Sequence, residues 1–270
     1  MSQVLSTHPS AKVERDVPRT ALLLPAISLC RRELVRFLRQ RNRIIGSLAT
    51  PLMFWIVLGA GMGSSFQAPG IPGGDSYLRY FFPGTIVMIL LFTSIFSTIS
   101  IIEDRREGFL QSVLVAPVSR MSIVLGKLLG GTILATGQGL LFLLLAPTVG
   151  IHLSLVAFGL AFAFIFIVSF ALTGLGFCIA WRMSSTQGFH AIMNLFLMPL
   201  LFLSGALFPM TTRMWWGVRW LMRADPITYG LAGLRESMYF PQPAASLPGL
   251  AVCFLVSIAF AAAMFLLSSA

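Results

Sequence analysis

The sequence predicts an all-α integral membrane protein with six transmembrane helices. Two features of its composition indicate a lipid environment: 57% of the 270 residues are Ala, Val, Ile, Leu, Met, Phe, Trp, Tyr or Cys, and only 10% are charged. A globular domain carries about 25% charged residues, whereas the mean hydropathy of this chain is +0.87. The third observation is that the apolar residues fall into six stretches of about 20 residues, the length that a helix needs to cross a bilayer. Soluble enzymes, disordered chains and disulfide-linked scaffolds are therefore excluded.

The N-terminal region is predicted to remain in the cytoplasm, because residues 1–19 are polar and mixed in charge and do not resemble a signal peptide. We expect 1–19 to form a flexible N-terminus and 20–270 to form one transmembrane domain. Residues 20–43 alternate apolar and basic side chains, which predicts an amphipathic helix lying at the inner membrane surface. A basic flank that only sets topology is the alternative. The arginines of this inner interfacial helix are Arg31, Arg32, Arg36 and Arg39.

Six stretches satisfy the length and charge criteria for membrane spans. Residues 128–181 contain no Asp, Glu, Lys or Arg, and this segment is long enough for two spans joined by a turn at 146–154. The fifth stretch is interrupted by Pro199, which predicts a break in that helix. The predicted spans are 44–63, 82–102, 123–145, 155–181, 191–208 and 248–267.

The distribution of basic residues predicts the orientation of the chain. With the N-terminus inside, the inner segments carry fourteen Lys and Arg residues and the outer segments carry five. Cytoplasmic loops are enriched in Lys and Arg. Both termini are therefore expected on the cytoplasmic side of a multi-pass protein of the inner membrane. Because the basic stretch leads directly into an apolar span, we interpret it as a membrane flank and expect no nucleic-acid partner.

The outer connection at 209–247 is rich in aromatic residues and is predicted to form two short re-entrant or interfacial helices. These helices cover about 214–222 and 227–240, with a break at Asp225-Pro226. Trp and Tyr favour the headgroup level of a bilayer. A cap over the outer end of a pathway and simple aromatic anchoring are both consistent with this pattern. The residues of this outer cap are Trp215, Trp216, Trp220, Asp225, Pro226 and Tyr229.

The middle of each predicted span lacks ionisable residues. Ion-coupled transporters and channels with charged rings need such groups at depth, so both classes are disfavoured. Polar residues in the spans either hydrogen-bond between helices or line a pathway. The candidates for the pathway are Thr93, Ser97, Gln138, Asn194 and Ser204. His and Cys residues are too scattered to predict a metal site.

The chain also lacks a nucleotide-binding motif, because Gly126-Lys127 is followed by Leu128 where a P-loop requires Ser or Thr. We therefore predict that it is not an enzyme and binds no cofactor itself. The inner loop at 103–127 combines an acidic and basic turn, the short amphipathic stretch 109–115 and an Ala-Pro stop. This pattern predicts a short helix parallel to the membrane against which a partner could press. The candidate coupling residues are Glu103, Asp104, Arg105, Arg106, Glu107, Gly108, Pro117 and Arg120.

Two sets of motifs in this chain resemble the permease subunits of ABC-2 type ABC exporters. The inner-loop motif of that family is matched by Gly108-Phe109-Leu110, Leu114 to Arg120 and Leu125-Gly126-Lys127. The downstream motif is matched by Pro199 to Pro209, Asp225 to Tyr229 and Leu234-Arg235. The chain departs from the family pattern at Gln111-Ser112, Asp225 and Ala232.

The resemblance implies a homodimer of six-span subunits in which each inner loop acts as a coupling helix for a separate ATP-binding subunit. ATP and Mg²⁺ would be held by that partner, and membrane lipids would surround the spans. Relatives export drugs, lipid-linked saccharides, polysaccharides and nodulation oligosaccharides. The neutral, Phe-rich spans with scattered Ser and Thr suit a hydrophobic or amphipathic substrate such as a drug, a lipid or a lipid-linked saccharide. A non-transporting subunit that anchors or assembles an ATPase remains the alternative.

Overall fold

The computed structural model describes residues 20–62, 76–115, 118–210, 214–239 and 248–269. Within these ranges the chain is helical, with ten α-helices and one short 3-10 helix at Ala146–Val149. The predicted N-terminus at 1–19 lies outside the described residues. The helices are α1 (Thr20–Arg39), α2 (Arg41–Met62), α3 (Tyr77–Arg106), α4 (Phe109–Val115), α5 (Arg120–Leu143), α6 (Leu155–Arg182), α7 (Thr186–Leu203), α8 (Trp216–Ala224), α9 (Pro226–Met238) and α10 (Leu250–Ser269).

Six of these helices are long and apolar enough to cross a membrane, which confirms the predicted number of spans. They are α2, α3, α5, α6, α7 and α10. The two short helices predicted in the connection at 209–247 are present as α8 and α9. The predicted turn at 146–154 contains the 3-10 helix and Gly150, whose φ of 73° is the left-handed conformation that glycine adopts readily.

The centre of the bundle is α3, which packs against α2, α5, α6 and α7. Its apolar residues are almost all buried, including Phe81, Phe82 and Leu90. By contrast, α2, α7 and α10 bury little of their surface and expose large apolar side chains. Apolar side chains exposed over whole spans are suited to lipid or to another membrane subunit.

Two predicted boundaries differ from the structure for local reasons. The charged residues 103–106, expected in a turn, form the last turn of α3 instead, since the helix ends only at Glu107 and Gly108. The fifth span begins at Thr186 because the Ser185 side chain caps it by accepting a hydrogen bond from the backbone N–H of Gly188. Pro199 lies inside this helix and does not interrupt it, as transmembrane helices tolerate proline where neighbouring groups satisfy the freed backbone carbonyl. The helix ends at Leu203, before Gly205 adopts a φ of 80°.

Close packing of α1 on α5 depends on glycines. A Cβ atom at Gly126 would lie 2.7 Å from the carbonyl oxygen of Ala26, and one at Gly130 would lie 2.8 Å from Cβ of Glu33. The Gly126/Gly130 pair has the spacing that allows close helix contact. This contact places the first helix of the chain directly against the third span.

The bundle has two chemically different ends. We call the end formed by α1, α4, the last turn of α3 and the α6–α7 connection the charged end. We call the end formed by α8, α9 and the first turn of α3 the aromatic end.

Candidate functional site

The charged end contains an ion cluster of four cations and four carboxylates from α1, α2, α3, α5 and the residue that ends α3. Only three of the eight residues, Glu103, Asp104 and Glu107, are among the candidate coupling residues that the sequence indicated. The ion cluster consists of Arg32, Glu33, Arg36, Arg43, Glu103, Asp104, Glu107 and Lys127.

Asp104 is the centre of the ion cluster. Its side chain is completely buried, and its two oxygens accept hydrogen bonds from Arg32 at 2.8 and 3.1 Å, from Arg36 at 2.5 Å and from Lys127 at 2.5 Å. A buried carboxylate is stable only when it is paired and hydrogen-bonded. Asp104 meets that requirement and thereby holds α1 and α5 against the end of α3.

The other carboxylates extend the ion cluster in two directions. Glu33, also buried, accepts a hydrogen bond from Lys127 at 2.8 Å. Glu103 accepts hydrogen bonds from Arg36 at 2.8 Å and from Arg43. Hydrogen bonding to Asp104 raises the pKa of Arg32, whose charge is thus favoured. Because these carboxylates are occupied by cations, they are poorly placed to bind a metal. Among the described residues, no group of three or more His, Cys, Asp and Glu side chains could hold one.

Arg105 and Arg106 point away from the ion cluster toward the connection between α6 and α7. Arg105 donates to the carbonyl oxygens of Trp181 and Met183, the latter at 3.3 Å, and its guanidinium lies 5.3 Å from the Trp181 ring. Arg106 donates to the carbonyl of Ser184 at 3.1 Å. The end of α3 is therefore tied to α1 and α5 by its acids and to α6 and α7 by its arginines.

Helix α4 follows a tight turn at Gly108, whose φ of 75° favours glycine. Its apolar face, Phe109, Leu110 and Val113, packs with Leu29 of α1 and Ile123 of α5. The opposite face is exposed at Gln111, Ser112 and Val115.

Of the candidate coupling residues, Glu107 and Arg120 are exposed beside α4, and Arg106 is exposed despite its hydrogen bond. Glu103 is partly buried and Asp104 completely buried. Pro117 lies outside the described residues.

Sequence reasoning missed Glu33, Arg43 and Lys127 as members of the ion cluster. The spacing of Arg32 and Arg36, four residues apart on one helix face, was a signal that both could meet the same partner. The four arginines of α1 in fact divide into two pairs. Arg32 and Arg36 turn toward the bundle, whereas Arg31 and Arg39 are exposed.

The aromatic end presents three exposed tryptophans, Trp215, Trp216 and Trp220. Asp225 caps α9 by accepting hydrogen bonds from the backbone N–H of Ile227 at 3.0 Å and the hydroxyl of Thr228 at 3.3 Å, and Pro226 follows as the first helical residue. Burial raises the pKa of Asp225 to about 7. The Tyr229 hydroxyl donates to the carbonyl of Arg223, which joins α9 back to α8.

The candidate pathway residues are mostly used in packing within this chain. Thr93 and Ser47 both donate to the side-chain oxygen of Gln138, at 2.5 and 3.0 Å, in the middle of the bundle. Ser97 and Ser204 donate to backbone carbonyls of their own helices. Asn194 is exposed on α7. Among the candidates, Thr93 and Gln138 therefore join α3 to α5, whereas the hydroxyls of Ser97 and Ser204 are satisfied within their own helices.

Six candidate spans and an ion-paired end define a multi-pass membrane protein, and comparison with known proteins identifies its family. The model of the ABC-2 type transporter family matches residues 26–239. The chain therefore belongs to the ABC-2 type transporter family of membrane transport proteins.

Named relatives agree with this assignment. A protein of Cyanophora paradoxa named transport permease ycf38 is 28% identical over 213 residues, which cover 77% of this chain and 71% of that protein. Nodulation protein J of Rhizobium meliloti (strain 1021) is 30% identical over 168 residues, covering 62% of this chain and 63% of the relative. Nodulation protein J of Sinorhizobium fredii (strain NBRC 101917 / NGR234) is 29% identical over 171 residues, with the same coverage.

Proposed function

We propose that this chain is the permease subunit of an ATP-driven exporter and that a separate ATP-binding subunit docks on α4 at the charged end. The observation that carries the proposal is the two-sided character of α4. One face packs on α1 and α5, while Gln111, Ser112 and Val115 face outward. A protein pressing on the outer face would therefore move the ends of α3 and α5 together.

In this proposal the ion cluster has an internal role. Asp104 and Glu103 fix α1, α3 and α5 as one unit, and Arg105 and Arg106 join that unit to the connection between α6 and α7. Motion at α4 would then reach four spans through short, charge-assisted contacts, which are stronger than neutral hydrogen bonds. The docking surface itself consists of Glu107, Gln111, Ser112, Val115 and Arg120, with Arg106 at its edge.

The proposed assembly contains two copies of this chain, with both termini and the charged end on the cytoplasmic side of the inner membrane. The bias of fourteen inner against five outer basic residues supports this orientation. The exposed apolar faces of α2, α7 and α10 supply surface for a second copy and for lipid. The proposed substrate is hydrophobic or amphipathic, such as a drug, a lipid or a lipid-linked saccharide.

The test is co-purification of the chain with a candidate P-loop ATPase from the same organism, followed by ATPase measurement in vesicles. The double variant Glu107→Lys, Val115→Glu is expected to lower the amount of ATPase that co-purifies with the chain, and the stimulated ATPase activity, at least fivefold. The reason is that both substitutions change the charge and shape of the surface at α4. The matched control is Trp216→Ala at the aromatic end, which should leave assembly unchanged. Normal assembly and activity of the double variant would refute docking on α4.

A further inference from the structure

Two arginines at the aromatic end, Arg79 of α3 and Arg235 of α9, have no carboxylate within ion-pairing distance among the described residues. All ion pairs in the described part of the chain belong to the charged end. Arg235 is only 6% exposed. The neighbouring carboxylate of Glu236 does not pair with Arg235: it interacts with the backbone N–H of Leu250 at the start of α10, and its Oε2 atom is buried without a partner. Asp75, the nearest acid to Arg79 in the sequence, lies outside the described residues.

Aromatic rings and carbonyl oxygens surround the two guanidiniums. Arg235 lies 4.4 Å from the centre of the Tyr80 ring, and Arg79 lies 5.5 Å from the centre of the Tyr239 ring. The Nη2 atom of Arg235 reaches the carbonyl of Gly205 at 3.4 Å, a long hydrogen bond, and the guanidinium also interacts with the Tyr80 side chain. Both partners are uncharged, so they do not supply the anion with which a buried arginine is usually paired.

Nε of Arg79 and Nε of Arg235 are buried and have no hydrogen-bond partner, and the buried hydroxyl of Tyr239 lies beside the Arg79 side chain, with which it interacts. Tyr239 follows Arg235 by four residues at the end of α9, and its ring faces Arg79, so the three groups adjoin one another. Leaving a charged donor buried and unpaired is costly. A site that concentrates positive charge and unpaired donors is complementary to an anion with several oxygens.

We propose that Arg79, Arg235 and Tyr239 bind the phosphate headgroup of a membrane amphiphile. Guanidinium groups match the geometry of phosphate oxygens, and the exposed band of Trp215, Trp216 and Trp220 at the same end is typical of the headgroup level of a bilayer. The rings of Tyr80 and Tyr239 enclose the guanidiniums in this structure, so the headgroup enters when α9 moves away from α3. This proposal does not depend on ATPase coupling, because binding is a property of the permease alone.

The experiment uses the purified full chain in nanodiscs of phosphatidylcholine and measures binding by native mass spectrometry. The probes are phosphatidic acid and diacylglycerol with the same acyl chains, so that only the phosphomonoester differs. Wild-type protein is expected to bind phosphatidic acid at least tenfold more tightly than diacylglycerol. Arg235→Gln and Arg79→Gln should each reduce that preference severalfold or more. Arg223→Gln, which neutralises an exposed arginine of α8 at the same end, is the matched control and should leave the preference unchanged.

Two replacement variants and a soluble phosphate probe complete the experiment. If Arg235→Gln does not fold, Arg235→Lys and Tyr239→Phe replace it, because both keep the bulk of the side chain while removing the guanidinium fork or a single donor. Equal binding of the two lipids by the wild type would overturn the proposal. It would also be overturned if Arg223→Gln reduced the preference for phosphatidic acid as much as the site variants do. Soluble glycerol 3-phosphate is tested separately, and binding as tight as that of phosphatidic acid would overturn the assignment to a membrane amphiphile.

Discussion

At the scale of single residues, burial gives Asp104 a structural role as an ion-pair partner. A carboxylate at the end of a span is ordinarily solvated, and no pattern around Asp104 in the sequence predicts that it is buried. Its partners Arg32 and Arg36 lie 72 and 68 residues earlier in the chain. Such pairings depend on how α1 packs against α3 and α5, which neither hydropathy nor spacing specifies.

Replacing Asp104 by Asn is expected to destabilise the protein strongly, since Lys127, Arg32 and Arg36 would then face one another without their shared anion. Breaking a buried ion pair costs about 3–5 kcal/mol. The measurement is the thermal unfolding of purified protein in detergent, with Glu107→Gln as control because that side chain is 60% exposed. If Asp104→Asn were no more harmful than Glu107→Gln, the central role of Asp104 would be contradicted.

Asp225 is expected to make stability depend on pH. Its pKa of about 7 in the folded protein exceeds the unfolded value of about 3.9. Folding is therefore favoured most below about pH 4, and this contribution is lost as the pH rises through about 7. Each unit of difference between the two pKa values corresponds to about 1.4 kcal/mol.

Asp225→Asn is the matched variant, because the amide oxygen can still cap α9 but does not titrate. Melting temperatures of the wild type and the variant should be similar at pH 4.5 and diverge by pH 8, with the wild type lower. Asp225→Ala, which also does not titrate, should be about 1 kcal/mol less stable than Asp225→Asn at every pH because the cap of α9 is lost. Parallel pH curves for the wild type and Asp225→Asn would show that Asp225 does not titrate in this range.

At the scale of helices, the spans were predictable because length and charge decide them, as in the uncharged run 128–181. The ends of helices were less predictable. A proline suggested a break in α7 that did not occur, and the charged residues after Ile102 suggested a turn where α3 continues. Exposed hydrogen-bonding groups at a helix end can be satisfied by distant partners, and for Arg105 and Arg106 those partners are carbonyls of the connection between α6 and α7.

The contact between α1 and α5 can be tested at Gly126. Gly126→Ala would place Cβ 2.7 Å from the Ala26 carbonyl and 2.8 Å from Cβ of Leu29, so α1 must shift. We expect a loss of about 1–3 kcal/mol, typical of overpacking. Gly137→Ala on the same helix is the control, because no atom lies within 4 Å of the added Cβ. Alanine has the higher helix propensity, so the control should be neutral or stabilised by up to about 1 kcal/mol. Equal effects at both glycines would argue against close packing of α1.

At the scale of the whole molecule, α4 and α8 lie at opposite ends of a bundle centred on α3. The aromatic end carries the tryptophans and the Arg79–Arg235 site, and the charged end carries the ion cluster. The family motifs indicated both ends in the sequence. The pairing of residues at each end, including the unpaired donors around Tyr239, required the three-dimensional arrangement.

The orientation of the bundle can be measured by labelling single cysteines. In a chain whose Cys30, Cys178 and Cys253 are replaced by Ala, Glu107→Cys and Trp216→Cys report on the two ends. A membrane-impermeant maleimide should label position 216 on intact spheroplasts and position 107 only after the membrane is opened. Labelling of both positions from the same side would refute the proposed topology.

The ion cluster also dictates an order of events during synthesis. Arg32, Glu33 and Arg36 leave the ribosome long before Asp104, and Lys127 is the last member of the ion cluster to be made. Until α5 emerges, Glu33 lacks the lysine that neutralises it and α1 lacks the glycine surface on which it packs. The first helix of the nascent chain can therefore pack in its final position only after the third span has been synthesised. Completion of the ion cluster is thus a late step in the insertion and folding of this protein.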